Sequence, residues 1–151
     1  LQSQRPGATV WAVDASADAL AVASANATRL QLGVRFAHGS WLEPLAGQAS
    51  FNLIVSNPPY IRDDDPHLLA LEHEPLSALA SGADGLSDIR AIVAQAPALL
   101  ASGGWLLLEH GWDQADAVAT LLRSAGFESV QHRHDLGGIA RCTGGQWTAQ
   151  A

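Results

Sequence analysis

The sequence contains no lysine and no methionine, and all eight of its basic residues are arginine. Fifteen Asp and Glu residues give it a formal net charge of −7 at pH 7. Proteins that bind nucleic acid usually carry a basic surface that neutralises phosphates. The charge balance therefore predicts a protein that does not bind nucleic acid directly.

Cysteine and long apolar runs are also scarce. The single cysteine, Cys142, excludes an internal disulfide framework and fits a reducing compartment. No apolar run approaches the ~20 residues that span a bilayer, and the polar start of the chain lacks the apolar segment of a signal peptide. We expect a cytoplasmic protein without a membrane segment. Its 151 residues, 48% of them hydrophobic, allow one domain with a real core.

Apolar, β-branched segments alternate with amphipathic helical segments along the chain. Ser16 is a favourable N-cap for the first helix, and Gly33 and Gly126 are expected to end the first and third helices. The alternation predicts an α/β fold with a mostly parallel sheet. No helix separates the last two strands, so one of them should be antiparallel. Strands are expected at residues 9–13, 34–37, 51–56, 105–108, 127–132 and 139–147, and helices at 17–30, 87–100 and 114–124.

Polar residues follow several of these strands, and ligands of open α/β sheets bind beyond the carboxyl ends of strands. Asp14 can accept the hydroxyls of a ribose there, or it can cap the helix that follows. Trp41 can flank an adenine ring or pack in the core. Glu109 and His110 are interpreted as ordinary polar residues at a strand end.

The segment Asn57-Pro58-Pro59-Tyr60 carries the most specific signal. Two consecutive prolines stiffen the backbone and remove two N–H donors, which leaves the Pro58 carbonyl free to accept a hydrogen bond. Asn57 offers a further acceptor and two donors, and Tyr60 offers a flat aromatic face. The segment is therefore predicted to clamp a planar –NH2 group.

This segment resembles motif IV of the amino-methyltransferases, and the wider pattern resembles the HemK/PrmC family of release factor glutamine methyltransferases. The resemblance covers essentially the whole chain, to about Trp147. The matching segments are Asn57-Pro58-Pro59-Tyr60-Ile61, Asp65-Pro66-His67-Leu68, Glu74-Pro75 with Ala78-Leu79, Gly82-Ala83-Asp84-Gly85-Leu86, and Gly103-Gly104 with Leu106-Leu107-Leu108-Glu109-His110-Gly111.

The resemblance implies a Rossmann-like methyltransferase that uses S-adenosylmethionine to methylate N5 of the glutamine in the Gly-Gly-Gln motif of peptide chain release factors. Asp14 would bind the ribose, Trp41 would lie beside the adenine, and Asn57 would contact both cofactor and target amide. Pro58 would supply the backbone acceptor, with Pro59 and Tyr60 shaping the glutamine pocket. Ser40 departs from the family, which commonly has an acid there.

We expect neither a metal ion nor a general base. The six histidines lack metal-ligand spacing, and His67 and His73 are expected on a loop surface. Alignment of nitrogen, methyl carbon and sulfur is expected to supply most of the catalysis.

The resemblance also implies that some parts of the family fold are absent. The family's Gly-rich cofactor loop, first strand and N-terminal helical domain have no counterpart before Asp14. We therefore expect residues 1–151 to be part of a catalytic domain that is inactive alone, with a gap in its sheet between the strand ending at Asp14 and the strand ending at Ser56.

Three alternatives stay open. One is a glutamine methyltransferase that acts on a large-subunit ribosomal protein, and another is an enzyme that methylates exocyclic amines of nucleic acid. The third is a catalytically inactive binding module. The segment Leu108-Glu109-His110-Gly111-Trp112 favours the release factor branch.

Overall fold

The structure, a computed structural model, describes residues 1–48, 50–66 and 79–149. The chain forms two compact units, Leu1–Gln48 and Ala49–Ala151. His67, His73 and the Glu74-Pro75 segment of the sequence motif lie outside the described residues.

The first unit is a two-stranded parallel sheet with one helix. Its elements are β1 (Val10–Asp14), α1 (Ala17–Arg29) and β2 (Val34–His38), followed by a 3₁₀ turn at Glu43–Leu45. The register sets Val10 opposite Val34 and Asp14 opposite His38. The carboxyl ends of β1 and β2 therefore lie side by side.

The two ends of α1 test two sequence predictions. Ser16 is the N-cap as predicted, because its Oγ accepts a hydrogen bond from the Ala19 N–H at 3.2 Å. The prediction that Gly33 ends the helix is wrong. Gln31 takes the left-handed conformation, with φ +54°, and the N–H of Leu32 bonds back to the Ala27 carbonyl at 2.8 Å. This closing turn leaves Gly33 outside the helix end.

The second unit contains a four-stranded mixed sheet in the order β3-β4-β6-β5, with β3 at Phe51–Ser56, β4 at Leu100–Glu109, β5 at Glu128–His134 and β6 at Ala140–Gln146. Strands β3 and β4 are parallel, and β6 runs antiparallel to both of its neighbours, which confirms the expected antiparallel closing strand. The strands ending at Asp14 and Ser56 thus belong to separate sheets. The two α-helices of this unit are α2 (Ser87–Gln95) and α3 (Ala115–Ser124).

Proline shapes the connection between α2 and β4. The helix expected to reach Leu100 ends at Gln95 instead, and Ala96–Ala98 form a 3₁₀ turn around Pro97, because proline cannot donate the next helical hydrogen bond. Strand β4 accordingly begins at Leu100, earlier than predicted. Gly126, with φ +90°, ends α3 as predicted.

The core of the second unit lies on one face of its sheet. Its most deeply buried apolar side chains come from α2, α3 and alternate positions of β4, and they are Ile89, Ile92, Leu106, Leu108, Val118 and Leu122. Each such side chain contributes about 1.5–3 kcal/mol on burial. Trp105 and Leu107 point to the opposite face and are half-buried. Within the described ranges, no helix is long and apolar enough to cross a membrane.

Candidate active site

The segment Asn57-Pro58-Pro59-Tyr60 follows directly from the carboxyl end of β3. Asn57 is exposed, Pro58 is buried, and Pro59 and Tyr60 are half-buried. Among the residues that the structure describes, none donates a hydrogen bond to the Asn57 side chain or to the Pro58 carbonyl oxygen. Both groups are therefore available to accept hydrogen bonds from a ligand.

A shallow depression of about 340 Å³ lies at this end of the sheet. Its lining includes Asn57 after β3, Glu109 at the end of β4 and Cys142 on β6, with the apolar side chains of Val55 and Leu107 between them. A larger depression, of about 510 Å³, covers the middle of the same sheet face and contains neither Asn57 nor Tyr60. The smaller depression is the better candidate site because it contains Asn57, the first residue of the Asn57–Tyr60 clamp, at the carboxyl end of the sheet.

The Tyr60 ring is held by Arg141 of β6. An Arg141 Nη2–H donates to the Tyr60 hydroxyl at 3.3 Å, and the guanidinium carbon lies 5.7 Å from the ring centroid. This distance is typical of a cation–π contact. No local sequence pattern marks Arg141 as a site residue, because it lies 81 residues from Tyr60 in the chain.

The Tyr60 backbone is held by Gln114, which no sequence motif marks either. The Gln114 Nε2–H donates to the Tyr60 carbonyl at 3.0 Å, while Oε1 accepts from the Gly111 N–H at 2.8 Å. In the sequence Gln114 looks like an ordinary residue at a helix start. It is distinguished by the acceptors of its Nε2, which are backbone carbonyls of segments distant in the sequence.

Ser16 occupies the N-cap position of α1, so Asp14 is not the helix cap that one interpretation of its position predicts. Its Oδ1 accepts the Ser16 N–H at 2.8 Å, which supports the turn into α1. In the described part of the chain, no residue donates to Oδ2. The exposed carboxylate therefore retains an oxygen that can accept a hydroxyl of a ligand.

The turn after β2 places Trp41 in the same unit as Asp14. The Gly39 N–H bonds to the Asp14 carbonyl at 3.1 Å, and His38 Nε2 lies 2.9 Å from the Ala15 carbonyl oxygen, so the two strand ends are joined. A Cβ on Gly39 would lie 2.4 Å from Pro44 Cγ, so the tight turn requires glycine. Trp41 is half-buried and has φ +49°, a backbone conformation that non-glycine residues seldom adopt.

His110 belongs to the core and not to an open strand end. It is fully buried, and its Nε2 lies 2.7 Å from Thr143 Oγ1, which in turn lies 2.9 Å from His132 Nδ1. Burial lowers the pKa of His110. The structure thus groups Asn57, Pro58, Pro59 and Tyr60 in the second unit, while Asp14 and Trp41 lie in the first.

The sequence matches known proteins over nearly its whole length. The family model described as the methyltransferase small domain matches residues 1–77. The chain is similar to proteins named release factor glutamine methyltransferase. It is 50% identical to the one from Yersinia pestis over 97% of this chain, and 51% identical to the one from Pseudomonas aeruginosa over 97% of this chain. The chain spans about half the length of these relatives, 54% in each case.

Solved structures share the fold. A protein-(glutamine-N5) methyltransferase described as release factor-specific, from Alicyclobacillus acidocaldarius, is 28% identical with a TM-score of 0.52, covering 95% of this chain and 82% of that one. A methyltransferase from Pyrococcus furiosus is only 16% identical, yet it has a TM-score of 0.71 over 98% of this chain and 67% of that one. The second likeness concerns the fold alone.

Proposed function

Because the chain belongs to the methyltransferase small domain family, we propose that the gene product containing it methylates N5 of a glutamine side chain in peptide chain release factors, with S-adenosylmethionine as the methyl donor. The target is the glutamine of the Gly-Gly-Gln motif. The observation that carries the proposal is the Asn57-Pro58-Pro59-Tyr60 clamp at the carboxyl end of β3. Relatives about 50% identical bear the name of this activity.

The clamp suits a planar primary amide. The Asn57 side-chain oxygen and the Pro58 carbonyl oxygen provide two acceptors for the two N–H groups of a glutamine amide. Tyr60, held by Arg141, would pack against the rest of the glutamine side chain. An amide nitrogen is a weak nucleophile because its lone pair is delocalised. Two accepted hydrogen bonds would raise its electron density and fix its direction of attack.

The first unit offers groups that fit the nucleoside part of the cofactor. The exposed Asp14 carboxylate can accept ribose hydroxyls through Oδ2, and Trp41 provides an aromatic surface beside the end of β2. When bound, S-adenosylmethionine supplies a methyl group activated by a positively charged sulfur. The chain's own residues then have to orient the amide, and the nitrogen can release its proton to water.

The direct test is a methyl-transfer assay with the complete gene product, labelled S-adenosylmethionine and a purified release factor. We expect label on the wild-type factor and none on a factor with Gln→Ala in its Gly-Gly-Gln motif. Asn57→Ala should lower kcat by about a hundredfold or more, because the amide loses its alignment. Label on a ribosomal protein or on nucleic acid, with none on the release factor, would overturn the proposed substrate.

Cofactor binding supplies a second arm of the same test. Asp14→Asn keeps an oxygen for the Ser16 N–H but removes the charge. We expect it to raise the Kd for S-adenosylmethionine about tenfold or more, since hydrogen bonds to a charged acceptor contribute about 1.5–3 kcal/mol. The matched control, Ser16→Ala, removes the helix cap at a cost of about 1 kcal/mol and should leave the Kd unchanged.

We propose that the protein acts in the cytoplasm, where its substrate is made and used. Its single cysteine fits a reducing compartment.

A further inference from the structure

Gln114 joins three segments of the second unit through one buried amide group. The residue is 8% exposed. Oε1 accepts from the Gly111 N–H beyond the end of β4. Nε2 faces the carbonyl oxygens of Tyr60 at 3.0 Å, Asp84 at 3.3 Å and Gly85 at 3.4 Å. Three acceptors surround the nitrogen and a donor faces the oxygen, so this amide has one orientation.

Helix capping does not explain why a glutamine side chain stands at the start of α3. It occupies the N-cap position of α3, yet the side chain makes no capping hydrogen bond. Glutamine is also not among the preferred N-cap residues. The hydrogen-bonding capacity of the amide is used instead between α3 and the loop that follows the clamp.

Two glycines leave the space that this amide needs. Gly85 has φ +70°, and a Cβ there would lie 2.4 Å from the Tyr60 carbonyl oxygen and 2.7 Å from Gln114 Nε2. A Cβ on Gly111 would lie 2.9 Å from Gln114 Oε1. Both backbone segments approach so closely that only glycine fits without a shift.

We propose that Gln114 is a positioning residue for the methyl transfer, acting by fixing the Tyr60 carbonyl and, through it, the Asn57–Tyr60 clamp. Pro58 and Pro59 have φ locked by their rings, so anchoring the backbone at Tyr60 restricts the Pro58 carbonyl two residues earlier. Arg141 fixes the ring of the same tyrosine. The inference rests on the proposed function and adds a residue that does not touch the substrate.

The sharpest variant is Gln114→Glu in the complete gene product. A carboxylate still accepts from the Gly111 N–H, but it cannot donate to the Tyr60 carbonyl and repels the three carbonyl oxygens. We expect kcat for release factor methylation to fall at least tenfold, with the Kd for S-adenosylmethionine within twofold of wild type. Gln114→Met, which keeps the length and loses both hydrogen bonds, should show the same loss. Gln131→Glu, exposed on β5, adds the same charge as a matched control.

A second readout does not depend on activity. Tyr60 is the only tyrosine of these 151 residues. When 3-fluorotyrosine is incorporated into the complete gene product, the fluorine NMR resonance of Tyr60 is the one that Tyr60→Phe removes. Gln114→Glu should shift or broaden this resonance, and Gln131→Glu should not. If Gln114→Glu does not fold, Gln114→Met is measured in its place.

The outcomes separate this inference from the proposed function. An active wild-type protein whose Gln114→Glu variant retains its kcat and its Tyr60 resonance would overturn the positioning role. A wild-type protein that fails to methylate the release factor would overturn the proposed function, and the fluorine resonance alone would then decide whether Gln114 holds Tyr60.

Discussion

At the residue scale, the hydrogen bonds of His110 define which of its ring nitrogens carries the proton. Nδ1 lies 2.8 Å from the Gly111 carbonyl oxygen, which can only accept, so Nδ1 carries the hydrogen. In the neutral ring Nε2 is then unprotonated and accepts a hydrogen bond from the Thr143 hydroxyl. His132 Nδ1–H donates to the oxygen of the same hydroxyl. These hydrogen bonds link the end of β4 to β6 and β5, and they require no charge on His110.

The neutral state of His110 makes stability depend on pH. Burial lowers the pKa of His110 in the folded protein, whereas the unfolded chain binds a proton near the ordinary value of about 6.5. The unfolded state therefore binds more protons as pH falls below that value. The contribution of His110 is complete above about pH 6.5 and is lost progressively below it, by up to about 1.4 kcal/mol per pH unit.

Urea unfolding of the gene product at pH 7.5 and pH 5.5 measures this effect. His110→Gln removes the titrating group and should reduce the difference between the two free energies of unfolding. His134→Gln, at an exposed position of β5, should leave the difference as in wild type. An unchanged difference in His110→Gln would show that other groups cause the pH dependence.

At the element scale, local patterns predict most strands and helices but not every boundary. Strand β3 has the predicted bounds, because its apolar run stops at a double proline. The end of α1 was predicted at the nearest glycine, whereas Gln31 takes the left-handed turn. Asn57 and Tyr60 stand out within a local motif. Gln114 does not, since the carbonyl oxygens that its Nε2 faces are brought near only by the fold.

The end of α1 provides an element-scale prediction. Gln31 has φ +54°, a conformation that costs a non-glycine residue roughly 1 kcal/mol and glycine nearly nothing. Gln31→Gly should therefore raise the free energy of unfolding by up to about 1 kcal/mol, measured by chemical denaturation.

Gly33→Ala is the matched control for that prediction. Its φ is not in the left-handed region, and a Cβ there would have as its nearest neighbour the Gln2 side chain at 4.0 Å. Alanine should therefore be tolerated. A loss of about 1 kcal/mol or more in Gly33→Ala would mean that Gly33 closes the helix after all.

At the scale of the whole molecule, the two units differ in the size of their cores. Among the described residues, only Ala27 and Leu45 of the buried apolar side chains belong to Leu1–Gln48, and the others lie in Ala49–Ala151. Regions with few buried apolar contacts open locally at lower free energy. The first unit should therefore open before the second one does.

Amide hydrogen exchange of the 151-residue chain tests this difference. Helices α1 and α3 make a suitable comparison, since both are regular and have 13 and 10 residues. We expect the amides of α1 to exchange at least tenfold faster than those of α3. Equal protection in the two helices would indicate that the units unfold together.

The sheet of the second unit affects how molecules of this chain attract one another in solution. Among the described residues β3 lies at the edge of the sheet, and its Leu53 and Val55, on the face opposite the core, are 41% and 51% exposed. Exposed sheet edges and apolar faces favour association between molecules. The net charge of −7 opposes this association by electrostatic repulsion. Added salt weakens that repulsion and leaves the apolar attraction in place. Concentrated solutions of this chain should therefore remain soluble at low ionic strength, and their turbidity should rise as salt is added.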